Sequence, residues 1–557
     1  MKSARTFALV GCVIVFASRL NADPVQTDVA HPQHHHDAPA AHEELGRVSF
    51  PTSCDAKVQH PIERGIALLH SFGYTEARAQ FENITRQDPA CAMAHWGVAM
   101  TQFKELWEPP DHQALALGAA EMAKARALSA PPARSSAREH AYIDALSAFF
   151  DAPEARLQQR ADAYEAKMNA LHAGFPDDVE GAAFDALAIL ASEQPDDRTL
   201  SHEHRALAIL QPLFVLHPEH PGLAHYIIHT CDTPALAQEG LQAARLFARI
   251  APSSPHALHM PGHIFARLGM WQEDIESDLA SVAASKRAEA AGEPGAAHQM
   301  HADEFLIYAY LQVGQDEKAR VLMTRMRALG EHMMAMPGMD DMKDAGHGFD
   351  NELRAVYAME MHQWDVLAHL RPAPGSKPYE GSAIYWGKAV AAGHTADAKL
   401  AAAALKGYED NYEALKHSPY AEYAGSGAIR RNEILGWKAL TEGRAEEAID
   451  DIRKAADEQD KVGQNEVDIP AREMLADVLL LEHRPQEALA QYRVALQLSP
   501  NRLNALLSAA AAAQQAGLSD EARSYYALMA KQTDAGAYSR RPELARAVEA
   551  VAGAAAR

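Results

Sequence analysis

The sequence predicts an all-α protein made of repeated helical hairpins, and three observations support this prediction. The chain has 557 residues, more than one compact core usually holds, so several domains or one extended array are expected. It is rich in alanine, aromatic residues make up 7% of it, and runs of β-branched residues are scarce, which favours helices over strands. Groups of small and aromatic residues also recur at a regular spacing, which is typical of helical repeats.

The C-terminal part of the chain shows this recurrence most clearly. The unit 469–502 carries small residues, an aromatic residue and a proline in order, and Ala488 recurs one repeat later as Ala522. Comparable units occur around Gly436 and at 73–89. In such units small residues let two helices approach closely, the aromatic residue fills the gap between hairpins, and proline ends the second helix. The spacing therefore predicts that equivalent helices stack side by side.

These units resemble the tetratricopeptide repeat (TPR) family, whose order of small, aromatic and proline residues the chain repeats several times. The resemblance implies a TPR-type α-solenoid, a superhelix of antiparallel helix hairpins with a concave ligand-binding face. The pattern is loose at 105–180 and 365–425, where helices are still expected. The chain also resembles a group of secreted bacterial TPR proteins of unestablished activity, so the resemblance implies a fold and little chemistry.

The first 22 residues predict a signal peptide for secretion. Lys2 and Arg5 precede the apolar run 7–17, and a cleavage site lies before Asp23. Lipidation at Cys12 is the weaker alternative, because most of the apolar run follows it. The run is too short to span a bilayer comfortably and no later segment could, so no integral membrane segment is expected after cleavage. The expected location is the periplasm or the extracellular space.

Composition divides the remaining chain into three parts. Residues 23–49 are rich in histidine, alanine and proline and predict a disordered leader. Residues 50–348 predict an N-terminal helical region that carries the clustered histidines, and 349–557 predict a C-terminal TPR region. The formal net charge of −23 argues against nucleic acid or an anionic membrane surface as the main partner.

Three cysteines remain after the predicted signal peptide, namely Cys54, Cys91 and Cys231. An oxidising compartment permits a bridge between Cys54 and Cys91, with Cys231 as the remaining thiol. The sequence alone leaves all three pairings open, and also the absence of any bridge.

Two histidine pairs are the strongest functional signal among the 29 histidines of the chain. The pairs His225/His229 and His259/His263 are related by the same shift that separates Ala488 from Ala522, and within each pair the spacing of four puts both imidazoles on one helix face. The TPR resemblance implies that all four point into the concave groove. Neighbouring helices pack about 8–10 Å apart, so imidazoles from both can reach a shared ion. The sequence therefore predicts a transition-metal site.

Further residues are predicted for the same face. His256, His301 and Asp232 are included among the expected metal ligands. Nitrogen ligands with a nearby carboxylate suit zinc, copper, iron or nickel, and the sequence does not decide among them. Asp232 and Glu304 are expected either as additional ligands or as partners that orient the imidazoles. A pH-sensitive partner site is the main alternative for such a cluster.

The favoured hypothesis is a secreted TPR protein whose groove holds a transition-metal ion, zinc, copper or iron, and binds a protein or peptide partner or a small ligand. A metal-dependent enzyme, hydrolase or oxidoreductase, is one alternative. Glu304 would then be the general base, and Tyr308 or His301 would assist an oxyanion or a leaving group. A metal-free interaction scaffold is the other alternative. The sequence contains no phosphate-binding loop, nucleophile elbow or His-Glu-x-x-His motif.

The segment from Met323 to Met342 contains seven methionines, and His332 and His347 flank its densest part. Thioether sulfurs are soft donors that select Cu(I), so a methionine-rich loop indicates copper handling. Methionine is also a common residue of helical cores, and this is the expected role of Met323 and Met326.

Overall fold

The computed structural model describes residues 43–547 except for 105–109, 194–196, 198, 293–294, 336–344, 419–426, 464, 466, 534–540, 542–543 and 545–546. The predicted signal peptide, most of the predicted leader and the loop within the methionine segment lie outside the described residues. Met326 is buried and Met323 packs against the core, which confirms the packing role expected for these two.

The described residues form 25 α-helices and a short 3-10 helix, Ala56–Val58, with no β-strand among them. The first nine helices are α1 Gln59–His70, α2 Tyr74–Gln87, α3 Ala92–Met100, α4 His112–Ser129, α5 Ala137–Phe150, α6 Leu157–Gly174, α7 Val179–Ala191, α8 Ser201–Leu216 and α9 Pro221–Thr230. The next eight are α10 Ala237–Ile250, α11 Pro255–His259, α12 Pro261–Arg267, α13 Trp271–Ala290, α14 Ala296–Gln312, α15 Asp316–Ala335, α16 Ala345–Glu360 and α17 Trp364–His369. The last eight are α18 Ser382–Thr395, α19 Ala398–Lys416, α20 Gly427–Thr441, α21 Ala445–Val462, α22 Ala471–Leu481, α23 Pro485–Leu498, α24 Leu503–Gln515 and α25 Ser519–Gln532.

The order of contacts is that of a helical solenoid. Every helix packs against the next one in the chain. Several helices also touch the helix after the next, as α7 touches α9 and α22 touches α24. Helices also form at 105–180 and 365–425, where the repeat pattern is loose. The prediction of an all-α solenoid of helix hairpins is therefore confirmed. In the part of the chain that the structure describes, no helix is both long and apolar enough to cross a membrane.

The packing at Phe81 shows why the repeat pattern predicts this fold. Its ring lies between Gly65 of α1 and Gly97 of α3, and a Cβ atom at either glycine would overlap the ring. The glycines thus allow three successive helices to close around one aromatic side chain.

Two large hydrophobic cores follow one another along the solenoid. The first includes residues between Leu45 and Phe265, and the second includes residues between Ala266 and Ala522. Contacts between helices far apart in sequence close the superhelix on itself, since α1 packs against α9 and α14 packs against α24. At these contacts, helices of the same chain cover part of the predicted concave face.

Residues 43–49, at the end of the predicted leader, contact residues of the helical array. Leu45 joins the first core, the Glu44 main-chain N–H donates to Ser253 Oγ at 2.9 Å, and the Arg47 N–H donates to the Glu219 carbonyl at 2.9 Å. These contacts tie the segment to the helical array.

The cysteines take one of the arrangements that the sequence left open. Cys54 and Cys91 form a disulfide, and Cys231 is a buried free thiol. The bridge joins the segment before α1 to the N-cap of α3.

Candidate metal centres

Six histidines form two groups of three, each with ring nitrogens within 4.8 Å of one another. The first triad consists of His225, His229 and His256, and the second triad of His259, His263 and His301. In each triad, two histidines four residues apart in sequence are joined by a third from the next hairpin. The sequence predicted that the four paired imidazoles surround one shared ion. They instead fall into two separate groups, so the chain has two candidate metal centres.

The helices that carry these pairs are short and begin with proline. Proline suits the first position of a helix, because its missing N–H would have no helical partner there. Pro261 has no N–H to donate to the carbonyl four residues earlier, so the helix is interrupted there. As a result α11 ends at His259 and α12 begins at Pro261. Met260 between them keeps helical dihedral angles, φ −51° and ψ −33°. His259 and His263 therefore stay on one side, with ring centroids 4.9 Å apart.

In the first triad the hydrogen bonds leave imidazole nitrogens facing one another. The Nδ1–H of His225 donates to the main-chain carbonyl of His70 at 2.6 Å, so the lone pair of the neutral ring lies on Nε2. This Nε2 is 3.0 Å from Nε2 of His256. Nε2 of His229 is buried and has no hydrogen-bond partner among the described residues. Such an orphaned nitrogen is costly unless a ligand satisfies it.

Aromatic rings enclose the first triad. The ring of Phe72 lies 4.4 Å from that of His225, 5.3 Å from that of His229 and 5.6 Å from that of His256. Burial lowers the pKa of His229 to about 3, and burial together with neighbouring imidazoles holds the pKa values of His225 and His256 well below the ordinary range. At neutral pH these rings are uncharged, which is the form that binds metal ions.

In the second triad each imidazole has a carboxylate beside its Nδ1. The pairs are His259 with Asp278 at 2.5 Å, His263 with Asp232 at 3.0 Å, and His301 with Glu304 at 3.4 Å. Histidine ligands of metal ions commonly donate their second ring N–H to a carboxylate in this way.

The two Nε2 atoms of the second pair are directed at each other. When Nδ1 of His259 and of His263 each donates to a carboxylate, both lone pairs lie on Nε2, and these atoms are 3.1 Å apart. Two lone pairs cannot hydrogen-bond, so a proton or a cation has to lie between them. Two nitrogens bound at about 2.0–2.1 Å to one tetrahedral ion are roughly 3.3 Å apart, so the observed spacing fits such an ion.

A pair of buried carboxyl groups lies beside the second triad. Asp274 and Asp278 are both fully buried, and no lysine or arginine among the described residues pairs with Asp278. Burial and the charge of Asp274 raise the pKa of Asp278 well above its ordinary value. Gly262 makes room for the two groups, since a Cβ there would lie 2.7 Å from Asp274 Oδ1 and 3.2 Å from Asp278 Oδ2. A bound cation would favour the ionised form of this pair, which burial opposes.

The remaining predicted site residues take different positions. Asp232 accepts from Arg267 Nε at 2.9 Å as well as contacting His263, so it holds the ring in place rather than joining a triad. Glu304 is buried against His301. The prediction that Tyr308 assists chemistry at the histidines is not supported by its position. Its hydroxyl donates to the Asp468 carbonyl at 2.6 Å and contacts Arg502, where the C-terminal helices close over this face.

Two imidazoles of each triad are buried, whereas His229 and His263 are half-buried. His225 is fully buried and His259 is 2% exposed. Phe305 covers the second triad as Phe72 covers the first, with ring centroids 4.9, 4.8 and 5.3 Å from the three imidazoles. A peptide partner in the groove remains a prediction, but these two buried imidazoles present no open surface to one.

Sequence reasoning missed several residues of the two centres. His298 lies 5.8 Å from His256 by ring centroids, and burial lowers its pKa to about 4. Its position three residues before His301 would have placed it on the same helix face. Asp278 and Phe72 gave no comparable signal, because only the tertiary fold brings them to the imidazoles.

A third buried cluster shows what a satisfied histidine group looks like. Glu180 bonds to Nε2 of His70 at 2.6 Å and to Nε2 of His220 at 3.2 Å. Nδ1 of His70 accepts from Tyr226, and Nδ1 of His220 accepts from the Leu223 N–H. Every ring nitrogen has a partner within the protein, so this cluster needs no ion.

Comparisons with known proteins give the chain no family. No protein-family model matches it, and no curated protein matches it in sequence. Among solved structures, the human IFIT1 dimer with m7Gppp-AAAA is 12% identical over 79% of this chain and 90% of that chain, with a TM-score of 0.36. The APC/C hetero-tetramer Cut9-Hcn1 is 11% identical over 75% of this chain and 76% of that chain, with a TM-score of 0.33. Similarity at this level does not transfer a function.

Proposed function

We propose that this helical-repeat protein binds a divalent transition-metal ion, such as zinc, at the second triad. The observation that carries the proposal is the pair of Nε2 atoms of His259 and His263, 3.1 Å apart, with both Nδ1 atoms beside carboxylates. This arrangement directs two imidazole nitrogens at one position between them, as histidine ligands of zinc do.

The charge around the second triad favours a divalent ion. Asp278, Asp232 and Glu304 lie next to the imidazoles, and the buried Asp274 adds a fourth acidic group, so a bound cation would favour the ionised forms that burial opposes. Arg267 pairs with one of them, Asp232. A dication would compensate the remaining charge in a site from which water is largely excluded.

Binding is favoured over catalysis by the state of the nearby acidic groups. Glu304, the carboxylate expected to act as a general base, is 2% exposed and directed at His301. Phe305 covers all three rings. These positions suit an enclosed ion that stabilises the chain or is held for transfer. The recruitment of a protein partner by the helical array remains a prediction.

The test is a zinc titration of the metal-stripped full chain, with competing chelators to set the affinity range. We expect one tightly bound zinc ion at the second triad, and His263→Ala should weaken its binding by at least about 100-fold, because the loss of an outer partner alone typically costs 10–100-fold. His172→Ala is the matched control, since His172 also contacts a carboxylate, Asp185, at 2.8 Å but lies outside both triads. Unchanged zinc binding in His263→Ala would refute the proposal.

We also propose that the chain is exported. The basic residues and apolar run before residue 23 support this, and the Cys54–Cys91 disulfide suits an oxidising compartment. N-terminal sequencing of the protein from its native host should begin at Asp23. A mature chain that retains Met1 would contradict export by this signal.

A further inference from the structure

We infer that the first triad, His225, His229 and His256, is a second metal site that takes a monovalent soft cation, Cu(I), in preference to zinc. The inference rests on the proposed function insofar as it treats the imidazoles as metal ligands. It goes further in assigning two ions of different charge to two triads of the same construction.

The first triad has the geometry of a metal site in its own right. Nε2 of His225 and Nε2 of His256 are 3.0 Å apart, and Nε2 of His229 is buried without a partner among the described residues. The ring nitrogens of all three histidines fall within 4.8 Å of one another. Three neutral imidazoles whose ring nitrogens lie this close form a ligand set that suits copper as well as zinc.

The first triad has fewer acidic groups next to its imidazoles than the second. Among the described residues, His225 and His229 make no hydrogen bond to a carboxylate, and His225 is held by the main-chain carbonyl of His70. Asp232 lies close enough to act on His229 through space, but its carboxylate is already engaged by Arg267 and His263.

This difference in charge favours a monovalent ion. The cost of moving an ion from water into a medium of low polarity rises with the square of its charge, so a dication without nearby carboxylates is penalised far more than a monocation. Neutral nitrogen ligands do not remove that charge. Cu(I) is the monovalent ion for which imidazole is a good ligand among the first-row transition metals.

Phe72 makes the site more selective. Its ring contacts all three imidazoles, and its backbone φ of +52° lies in the left-handed region, which is unusual for a residue other than glycine. Strained backbone of this kind persists where the surrounding structure holds it, often at ligand sites. The ring excludes water and can present its face to a cation, which favours a weakly hydrated monovalent ion.

The experiment uses the metal-stripped full chain in a Cys231→Ser background, because the buried thiol is itself a soft ligand. The chain is first loaded with one equivalent of zinc and then titrated anaerobically with Cu(I), and in parallel with Ag(I), which needs no reductant. A competing ligand removes ions that are held weakly by exposed side chains. Circular dichroism checks that each variant is folded.

We expect the zinc-loaded chain to take up one further Cu(I) or Ag(I) ion. His229→Ala should lower this second affinity at least about 100-fold and retain the zinc, whereas His263→Ala should lose zinc and retain the monovalent ion. His256→Gln, which alters a different ligand of the same triad, guards against a folding defect in His229→Ala.

Each other outcome counts against a distinct statement. If zinc fills both triads with similar affinity, the preference for a monovalent ion is wrong. If zinc binds but the binding of Cu(I) and Ag(I) does not depend on His229, then the monovalent site at the first triad is refuted and the zinc site at the second triad stands. If the chain binds no zinc and no monovalent ion, the proposed function fails together with this inference.

Discussion

The two triads share one construction and differ in their surroundings. In both, two histidines four residues apart come from one helix or from two short helices in direct succession, a later hairpin supplies the third, and a phenylalanine covers all three rings. The first triad is held by a main-chain carbonyl and aromatic rings, and the second by carboxylates. Repetition of a hairpin thus reproduces the ligands, while residues outside the repeat pattern set the charge around them.

The largest expected effect on this comparison comes from removing the charge of one carboxylate. Asp278→Asn keeps a side-chain oxygen near Nδ1 of His259 but cannot become the carboxylate that a bound dication favours, so zinc binding at the second triad should weaken by about 10–100-fold. Cu(I) binding at the first triad should not change. Competitive titration of both ions measures the two effects separately.

Asp185→Asn is the matched control for this variant, because Asp185 contacts His172 away from both triads. It should leave the affinities for both ions as they are. Equal losses of zinc and Cu(I) affinity in Asp278→Asn would show that the two triads are not independently tuned.

A smaller effect is expected from closing the space that the second triad's carboxyl groups occupy. In Gly262→Ala the new methyl group would lie 2.7 Å from Asp274 Oδ1, so the carboxyl group has to move. The free energy of unfolding should fall by about 1–3 kcal/mol, as for other overpacked cores, and zinc affinity should fall with it. Urea unfolding and zinc titration measure these quantities.

The control for this substitution is Gly174→Ala, because nothing lies within 4 Å of a Cβ at Gly174. Its free energy of unfolding should stay within about 1 kcal/mol of that of the parent. If Gly262→Ala behaves like this control, then the close approach of the carboxyl pair to α12 is not required.

The smallest effect concerns a buried carboxyl group away from both triads, which shows how such a group behaves without a metal site. Burial raises the pKa of Glu433 to about 8, so the folded chain keeps a proton there that the unfolded chain releases near the ordinary value of 4.5. The resulting contribution to stability is complete below pH 4.5 and is lost as the pH rises through 8.

Glu433→Gln cannot ionise, so its stability relative to the parent should increase by about 1–3 kcal/mol between pH 5 and pH 9. Urea unfolding at several pH values tests this. Parallel pH profiles of the two proteins would show that the pKa of Glu433 is not raised by folding.

Local patterns in the sequence predicted the helices and the histidine pairs, because both depend on spacing along the chain. A shift of one hairpin relates His225 to His259, and the same register placed His256 and His301 on the shared face. The division into two triads was not predictable from spacing, since it depends on how far one hairpin is displaced from the next.

Residues that come from distant helices escaped prediction for a tertiary reason. Phe72 reaches the first triad because α1 packs against α9, a contact between elements far apart in sequence. Tyr308 lies on the helix face that the repeat register indicated, but Arg502 from the C-terminal helices occupies the space before it. The register predicts where a side chain points, and closure of the superhelix decides what it meets.

The third ligand of each triad has a mechanical consequence. In a repeat protein, stability is close to a sum over individual repeats and the interfaces between neighbours, and unfolding can start at a weak interface. His301 reaches His259 and His263 from α14, so an ion held by all three would cross-link successive hairpins where the first hydrophobic core gives way to the second. Release of the ion would leave that interface weaker than its neighbours, and amide hydrogen exchange would then increase first around α13 and α14.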